Sequence, residues 1–242
     1  MDYISGETIV VDKPLGWTSF DAVKRLRGAI QRRLNMKRFK VGHAGTLDPL
    51  ATGVLIICTG RATRRIAELQ EGMKEYVAEV TFGATTPSYD LEKEIDATYP
   101  WEHITRQGIE EVLPRFIGHV MQVPPVFSAV KVDGKRAYNY ARKGKEVEIK
   151  AKPLEIREME ILDWQAPRLT LRVLCSKGTY IRALARDLGE ALESGAHLTA
   201  LRRTRVGDCR VENALSIDQA VDLISNGPLE FPEDSNHIDD NV

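Results

Sequence analysis

Residues 41–58, "VGHAGTLDPLATGVLIIC", constrain this chain more than any other stretch. The run from Val54 to Cys58 is continuously apolar and short, which reads as a buried strand. The segment before it gathers Gly42, Gly45, Gly53 and Pro49 around one carboxylate, Asp48, and one imidazole, His43. Glycine permits tight turns and the close approach of another backbone. A residue that precedes proline is pushed into an extended conformation. Asp48 therefore sits on a stiff loop at the mouth of a buried strand. From the residues alone two readings stand: an ordinary Asx-type turn, or a rigid mount for a reacting group.

The rest of the chain mixes strands and helices without regular β-α-β alternation. "ETIVVDKP" reads as a strand ending at Pro14. The spacing of Phe20, Val23, Leu26, Ile30 and Leu34 predicts a helix with one apolar face, capped by Thr18 or Ser19. Residues 75–83 alternate and read as a strand. A helix is expected from Thr105, and a hairpin at "VDGK". Two antiparallel strands are expected across 154–178, joined near Pro167. Helices are expected over 179–192 and, capped by Ser216, over 216–225. The pattern favours an α+β fold with a mixed, largely antiparallel central sheet flanked by helices and loops. No phosphate-binding or dinucleotide-binding glycine motif occurs.

Charge is uneven. The formal net charge of 242 residues is only −1. From Pro228 to Val242, however, there are five acids and no Lys or Arg; without that tail the remainder carries a net +4. Eight basic residues and no acid lie between Lys24 and Lys40, and "LRRTRVGDCR" (201–210) forms a second basic cluster. Two basic blocks beside an acidic tail point to a polyanionic partner. The expected organisation is one catalytic domain over 1–227 and an acidic, disordered tail over 228–242. Cys58, Cys175 and Cys209 are far apart and odd in number, which suggests neither a disulfide framework nor a zinc site and fits a reducing cytoplasm. No signal peptide or membrane span is expected.

A carboxylate can act as a covalent nucleophile. Retaining glycosidases also need a second carboxyl group to protonate the leaving group, and this loop offers only one. A reaction whose base never departs, but turns and bonds again through carbon, can manage with a single nucleophile. His43 has no paired Cys or His at ligand spacing, so no metal is expected.

"VGHAGTLDPLATGVLIICTGRATR" resembles the signature loop of the TruB family of tRNA pseudouridine synthases. The likeness extends from about residue 5 to 225. It takes in "VVDKPLGWTSFDAV", "KEYVAEVTFGATTPSYDLE", "VPPVFSAVKVDGKRAYNYARKG", "CSKGTYIRALARDLGEAL" and "LTALRRTRVG", in the family's order. The resemblance implies the pseudouridine-synthase fold and conversion of uridine 55 in the T-loop of tRNA to pseudouridine. It implies no cofactor and no metal, with tRNA (T-loop and stem) as partner; a monomer is expected. Residue by residue, Asp48 matches the nucleophilic aspartate. Tyr76 matches the tyrosine that stacks on the flipped base, and Tyr180 a second pocket tyrosine. Arg182 matches the arginine that pairs with the catalytic carboxylate, Leu201 a pocket residue near the base, and His43 the histidine that helps displace the target nucleotide. Arg64 stands where the family usually has lysine. Many members continue into an RNA-binding domain of the PUA type, whereas here only the acidic tail follows residue 225; weaker, more salt-sensitive tRNA binding is expected. The alternative is a non-catalytic tRNA-binding or folding module.

Overall fold

A computed structural model describes residues 1–128, 131–132, 135–136 and 149–231. The first half of the chain runs β1 (Thr8–Lys13), α1 (Ser19–Leu34), β2 (Val41–Ala44), β3 (Ala51–Thr59), a 3-10 segment Gly60–Arg65, α2 (Ile66–Leu69), β4 (Lys74–Phe82), β5 (Ala84–Thr85), β6 (Ala97–Thr98) and α3 (Arg106–Val112). The second half runs β7 (Gly118–Gln122), β8 (Lys131–Val132), β9 (Lys135–Arg136), β10 (Lys152–Gln165), β11 (Arg168–Cys175), α4 (Ile181–Ala191), β12 (Ala196–Val206), β13 (Cys209–Arg210) and α5 (Ile217–Asn226). The elements form two compact units, Met1–Lys74 with Arg202–Val242, and Glu75–Leu201.

In the first unit β3 pairs antiparallel with β1, from Thr8↔Cys58 to Lys13↔Gly53, and with β2, from Val41↔Thr59 to Ala44↔Ile56. Its two-residue period sends alternate side chains to opposite faces, and both faces are covered. Leu55 and Ile57 join Val23, Leu26 and Ile30 of α1 and Ile217, Ala220 and Ile224 of α5. Ile56, Val54 and Cys58 join Ala44, Ala62 and Val206. A strand buried on both sides needs no polar alternation, which is why Val54–Cys58 reads as an unbroken apolar run.

Thr18 caps α1 through a reciprocal pair: its Oγ accepts from the Asp21 amide at 3.1 Å, and Asp21 Oδ2 accepts from the Thr18 amide at 2.9 Å. Val23, Leu26 and Ile30 are buried as the spacing requires. Phe20 departs from that expectation: it is 58% exposed, with the Arg27 guanidinium 5.6 Å from its ring centroid. It lies in the first turn, where the core has no depth left for it. Residues 228–231 adjoin the start of the chain, with Pro228 O accepting from the Met1 ammonium at 2.8 Å and the Glu230 amide donating to Met1 O at 3.0 Å. The rest of the tail lies outside the described residues.

In the second unit β10 pairs antiparallel with β11 on one edge and β7 on the other. Strand β4 alternates buried and half-buried positions along its whole length, as its sequence predicts, with Tyr76, Ala78, Val80 and Phe82 inward. The expected hairpin is present as β8 and β9, in register Lys131↔Arg136 and Val132↔Lys135. Its turn and the basic stretch 137–148 lie outside the described residues. Helix α4 buries Ile181, Ala183, Leu184, Ala185 and Leu188. Mixed α and β elements with antiparallel registers agree with the α+β class.

Candidate active site

Asp48 is half-buried on the loop between β2 and β3. Its carbonyl accepts from the Ala51 amide at 3.0 Å, which closes a turn led by Pro49. The loop is tied down residue by residue within the first unit. Ser19 Oγ accepts from the Leu47 amide at 2.8 Å and donates to Leu47 O at 3.1 Å. The Gly16 amide donates to Pro49 O at 2.9 Å. Because Thr18 takes the cap, the Ser19 hydroxyl is released for the loop.

The third tie is Arg203, only 1% exposed. Its Nε donates to Val54 O at 2.8 Å, Nη2 to Gly45 O at 3.1 Å and Nη1 to Thr46 O at 3.4 Å. A planar guanidinium with diverging donors can span three carbonyls, which a lysine ammonium on one stem cannot do as well. Gly53 has φ +105°, and a Cβ there would strike the Arg203 backbone. The loop and the arginine strand thus approach more closely than any side chain allows. Of the basic cluster 201–210, Arg203 is therefore interior and not available to a polyanionic partner.

Lys13, at the end of β1, is fully buried. Its Nζ donates to Pro14 O at 2.9 Å and Trp17 O at 2.6 Å. Burial pushes it down to about 8; the Asp48 charge opposes that fall and the Arg203 charge adds to it. His43, on β2, is half-buried, and its Nδ1 is buried without a hydrogen-bond partner among the described residues. Burial, then the Arg203 guanidinium, lower its pKa below the usual histidine value. Both effects favour the neutral imidazole.

The other four residues singled out from the sequence lie in the second unit. Tyr76 is buried on β4. Tyr180 is the residue just before α4; its amide donates to Gln122 Oε1 at 2.9 Å, and Gln122 Nε2 donates to Tyr180 O at 3.2 Å. That reciprocal pair fixes the backbone from which α4 starts. Arg182 is 5% exposed; Nη1 donates to Ser88 O at 3.1 Å and Nη2 to Phe127 O at 3.0 Å, while Nε lies 3.6 Å from Asp90 Oδ2. Asp90 is buried too. The turn that carries it includes Tyr89 at φ +60°, a conformation an aromatic residue holds only when its surroundings impose it. Leu201 is half-buried on β12.

Four participants escape sequence reasoning: Lys13, Ser19, Arg203 and Asp90. Lys13 and Arg203 look like surface charges, and Ser19 looks like a helix cap. Their roles depend on contacts with residues 28 to 158 positions away or on burial, and no local pattern reports either.

The α+β fold is that of the pseudouridine synthases. Two family models cover most of the chain. "TruB family pseudouridylate synthase (N terminal domain)" matches residues 31–181, and "tRNA pseudouridylate synthase B C-terminal domain" matches 182–227. The chain belongs to the TruB family of pseudouridylate synthases. Among similar curated proteins is the tRNA pseudouridine synthase B of Phocaeicola vulgatus, 62% identical over 230 residues, 95% of this chain and 98% of that protein. The protein of the same name from Bacteroides thetaiotaomicron is 60% identical over 240 residues, 98% of this chain and all of that one. A solved Cbf5–Nop10–Gar1 complex contains a chain of the same fold, 29% identical with a TM-score of 0.67 over 94% of this chain. This chain spans 58% of that one.

Proposed function

We propose that the protein is a cytoplasmic tRNA pseudouridine synthase that isomerises uridine 55 in the T-loop, with Asp48 as the covalent nucleophile. The observation that carries this is the loop: Asp48 stands on a backbone held on both sides, at Gly45, Leu47 and Pro49, by Arg203, Ser19 and Gly16, on the motif that the resemblance assigns to the nucleophile. A reacting group held by rigid neighbours has little reorganisation left to complete during reaction.

The steps follow from that assignment. The target base leaves its stack to become reachable. Tyr76 offers a stacking plane, worth roughly 1–3 kcal/mol per base. The Asp48 carboxylate adds to the ribose or to the base, and the N1–C1′ bond breaks. The uracil turns and C5 bonds to C1′; the bond to Asp48 breaks and returns the carboxylate, the C5 proton is lost to solvent, and N1 takes up a proton from solvent. By the same resemblance Arg182 pairs with the catalytic carboxylate, Tyr180 and Leu201 belong to the substrate pocket, and His43 fills the place the nucleotide leaves. A neutral imidazole suits that role, because it can pack against bases without carrying a charge into the loop.

Tritium release from unmodified tRNA labelled at uridine C5 tests the reading. The wild type is expected to release tritium from the T-loop position. Asp48→Asn is expected to lose roughly 10⁴-fold or more in rate, with tRNA affinity within a few fold. Appreciable turnover by that variant removes Asp48 from the mechanism. A wild type that binds tRNA without releasing tritium is a binding module.

A further inference from the structure

The basic block near the start of the chain is not spread evenly over a solvated helix. Gly16, Trp17, Asp21, Lys24, Arg25, Arg27, Gly28, Gln31 and Arg32 line an open groove of about 690 Å³ along α1. Four of the lining side chains are cations. Among the described residues none of the four makes an ion pair with a carboxylate. The one acid in the lining, Asp21, is turned to the helix cap, where it accepts from the Thr18 amide and hydroxyl at 2.9 and 2.6 Å. The groove therefore presents a net positive charge, four cations against one carboxylate.

Trp17 of the lining is half-buried, and Phe20, 58% exposed, adjoins the groove through Arg27, whose guanidinium lies 5.6 Å from its ring centroid. Exposed aromatic side chains next to arginines form a surface for both parts of a nucleotide: phosphate on the cation, base on the ring. The groove also adjoins the Asp48 loop. Gly16 donates to Pro49 O, the residue after the aspartate, and Trp17 O holds the buried Lys13 ammonium. A lip fixed to the loop at that point keeps any occupant in a set register with Asp48.

We propose that this groove is an RNA-contact surface: the substrate backbone adjoining the target nucleotide runs along α1. Its phosphates lie on Lys24, Arg25, Arg27 and Arg32, and an unpaired base lies on Phe20. The inference rests on the reading of the substrate as RNA and adds where that RNA goes.

The test measures binding of an unmodified tRNA transcript across a salt series. Arg25→Glu/Arg32→Glu is compared with Arg115→Glu/Arg168→Glu, which makes the same change in net charge at two exposed arginines of other elements. Each phosphate contact contributes a little under one unit to the slope of log affinity against log salt. The groove variant is expected to bind about tenfold more weakly at low salt, with a slope smaller by about two. The control is expected to stay within about twofold. Phe20→Ala is expected to bind about fivefold more weakly at an unchanged slope, the low end for one stacked base. A groove variant that tracks the control overturns the phosphate path, and a Phe20→Ala protein that binds as wild type overturns the stacked base. Tritium release by the wild type, measured in parallel, separates these failures from failure of the catalytic assignment.

Discussion

The Arg203 guanidinium donates to the Gly45 carbonyl at 3.1 Å, three residues before Asp48. A guanidinium, almost wholly buried, is satisfied by loop and strand carbonyls; no carboxylate pairs with it among the described residues. Its positive charge is felt by both Lys13 and His43, whose pKa values it lowers. Arg203 thus shapes the loop and sets the field around it.

Replacing Arg203 by Met keeps the apolar stem and deletes the three hydrogen bonds. The expected loss is about 3 kcal/mol of stability, since hydrogen bonds to charged groups are worth about 1.5–3 kcal/mol each and a methionine relieves part of the burial cost. Turnover is expected to fall roughly 10²-fold as the aspartate loses its register. Urea denaturation and single-turnover kinetics measure the two effects. Arg203→Lys should recover stability in part and turnover less, because one ammonium cannot hold three divergent carbonyls.

Lys13 gives a pH signature. In the unfolded chain a lysine titrates near 10.4; in the folded protein burial brings Lys13 down to about 8. Between these values the unfolded state binds the extra proton, so this residue makes stability rise with pH across that window. Below about 8 its penalty is full and constant. Relative to Lys13→Met, the wild type is expected to gain about 3 kcal/mol between the two limits. Denaturant unfolding at a series of pH values checks this, and parallel curves for the two proteins contradict it.

His43 acts at the other end of the scale. Its folded pKa lies below the ordinary histidine value, first because it is buried and then because of Arg203. As pH falls through about 6.5 the unfolded chain takes up the proton first, so folded stability drops until the folded-state pKa is passed. His43→Gln is expected to flatten that acid limb. NMR titration of the His43 ring should give a midpoint below 6.5, and a midpoint above it refutes the assignment.

In the second unit Asp90→Asn removes the carboxylate 3.6 Å from Arg182 Nε. Breaking a buried ion pair from one side typically costs 3–5 kcal/mol, and a loss of about 3 kcal/mol is expected here by thermal or urea unfolding. If Arg182 serves the catalytic carboxylate, turnover falls with it, by roughly 10²-fold at little cost in tRNA affinity. Wild-type turnover in a measurably destabilised Asp90→Asn protein would separate the structural role of the pair from any catalytic one.

The sequence by itself determined the elements whose cause is local. The period of Val23, Leu26 and Ile30 makes α1, the alternation of 75–83 makes β4, and Thr18, Thr105 and Ser216 cap helices where side-chain oxygens meet free amides. It also marked Asp48, because Pro49 and the glycines shape its loop through their own backbones. Only the tertiary structure decided the rest. Phe20 has the right period for the core but lies beyond its edge, because burial depends on what packs opposite and not on spacing. Arg203 has the composition of a surface strand, yet it is interior because Gly53 lets two backbones close on each other and leaves carbonyls that require donors. Lys13 is likewise charged by type and buried by position. Such residues are fixed by partners distant in sequence, and a one-dimensional pattern carries no record of what the fold brings beside them.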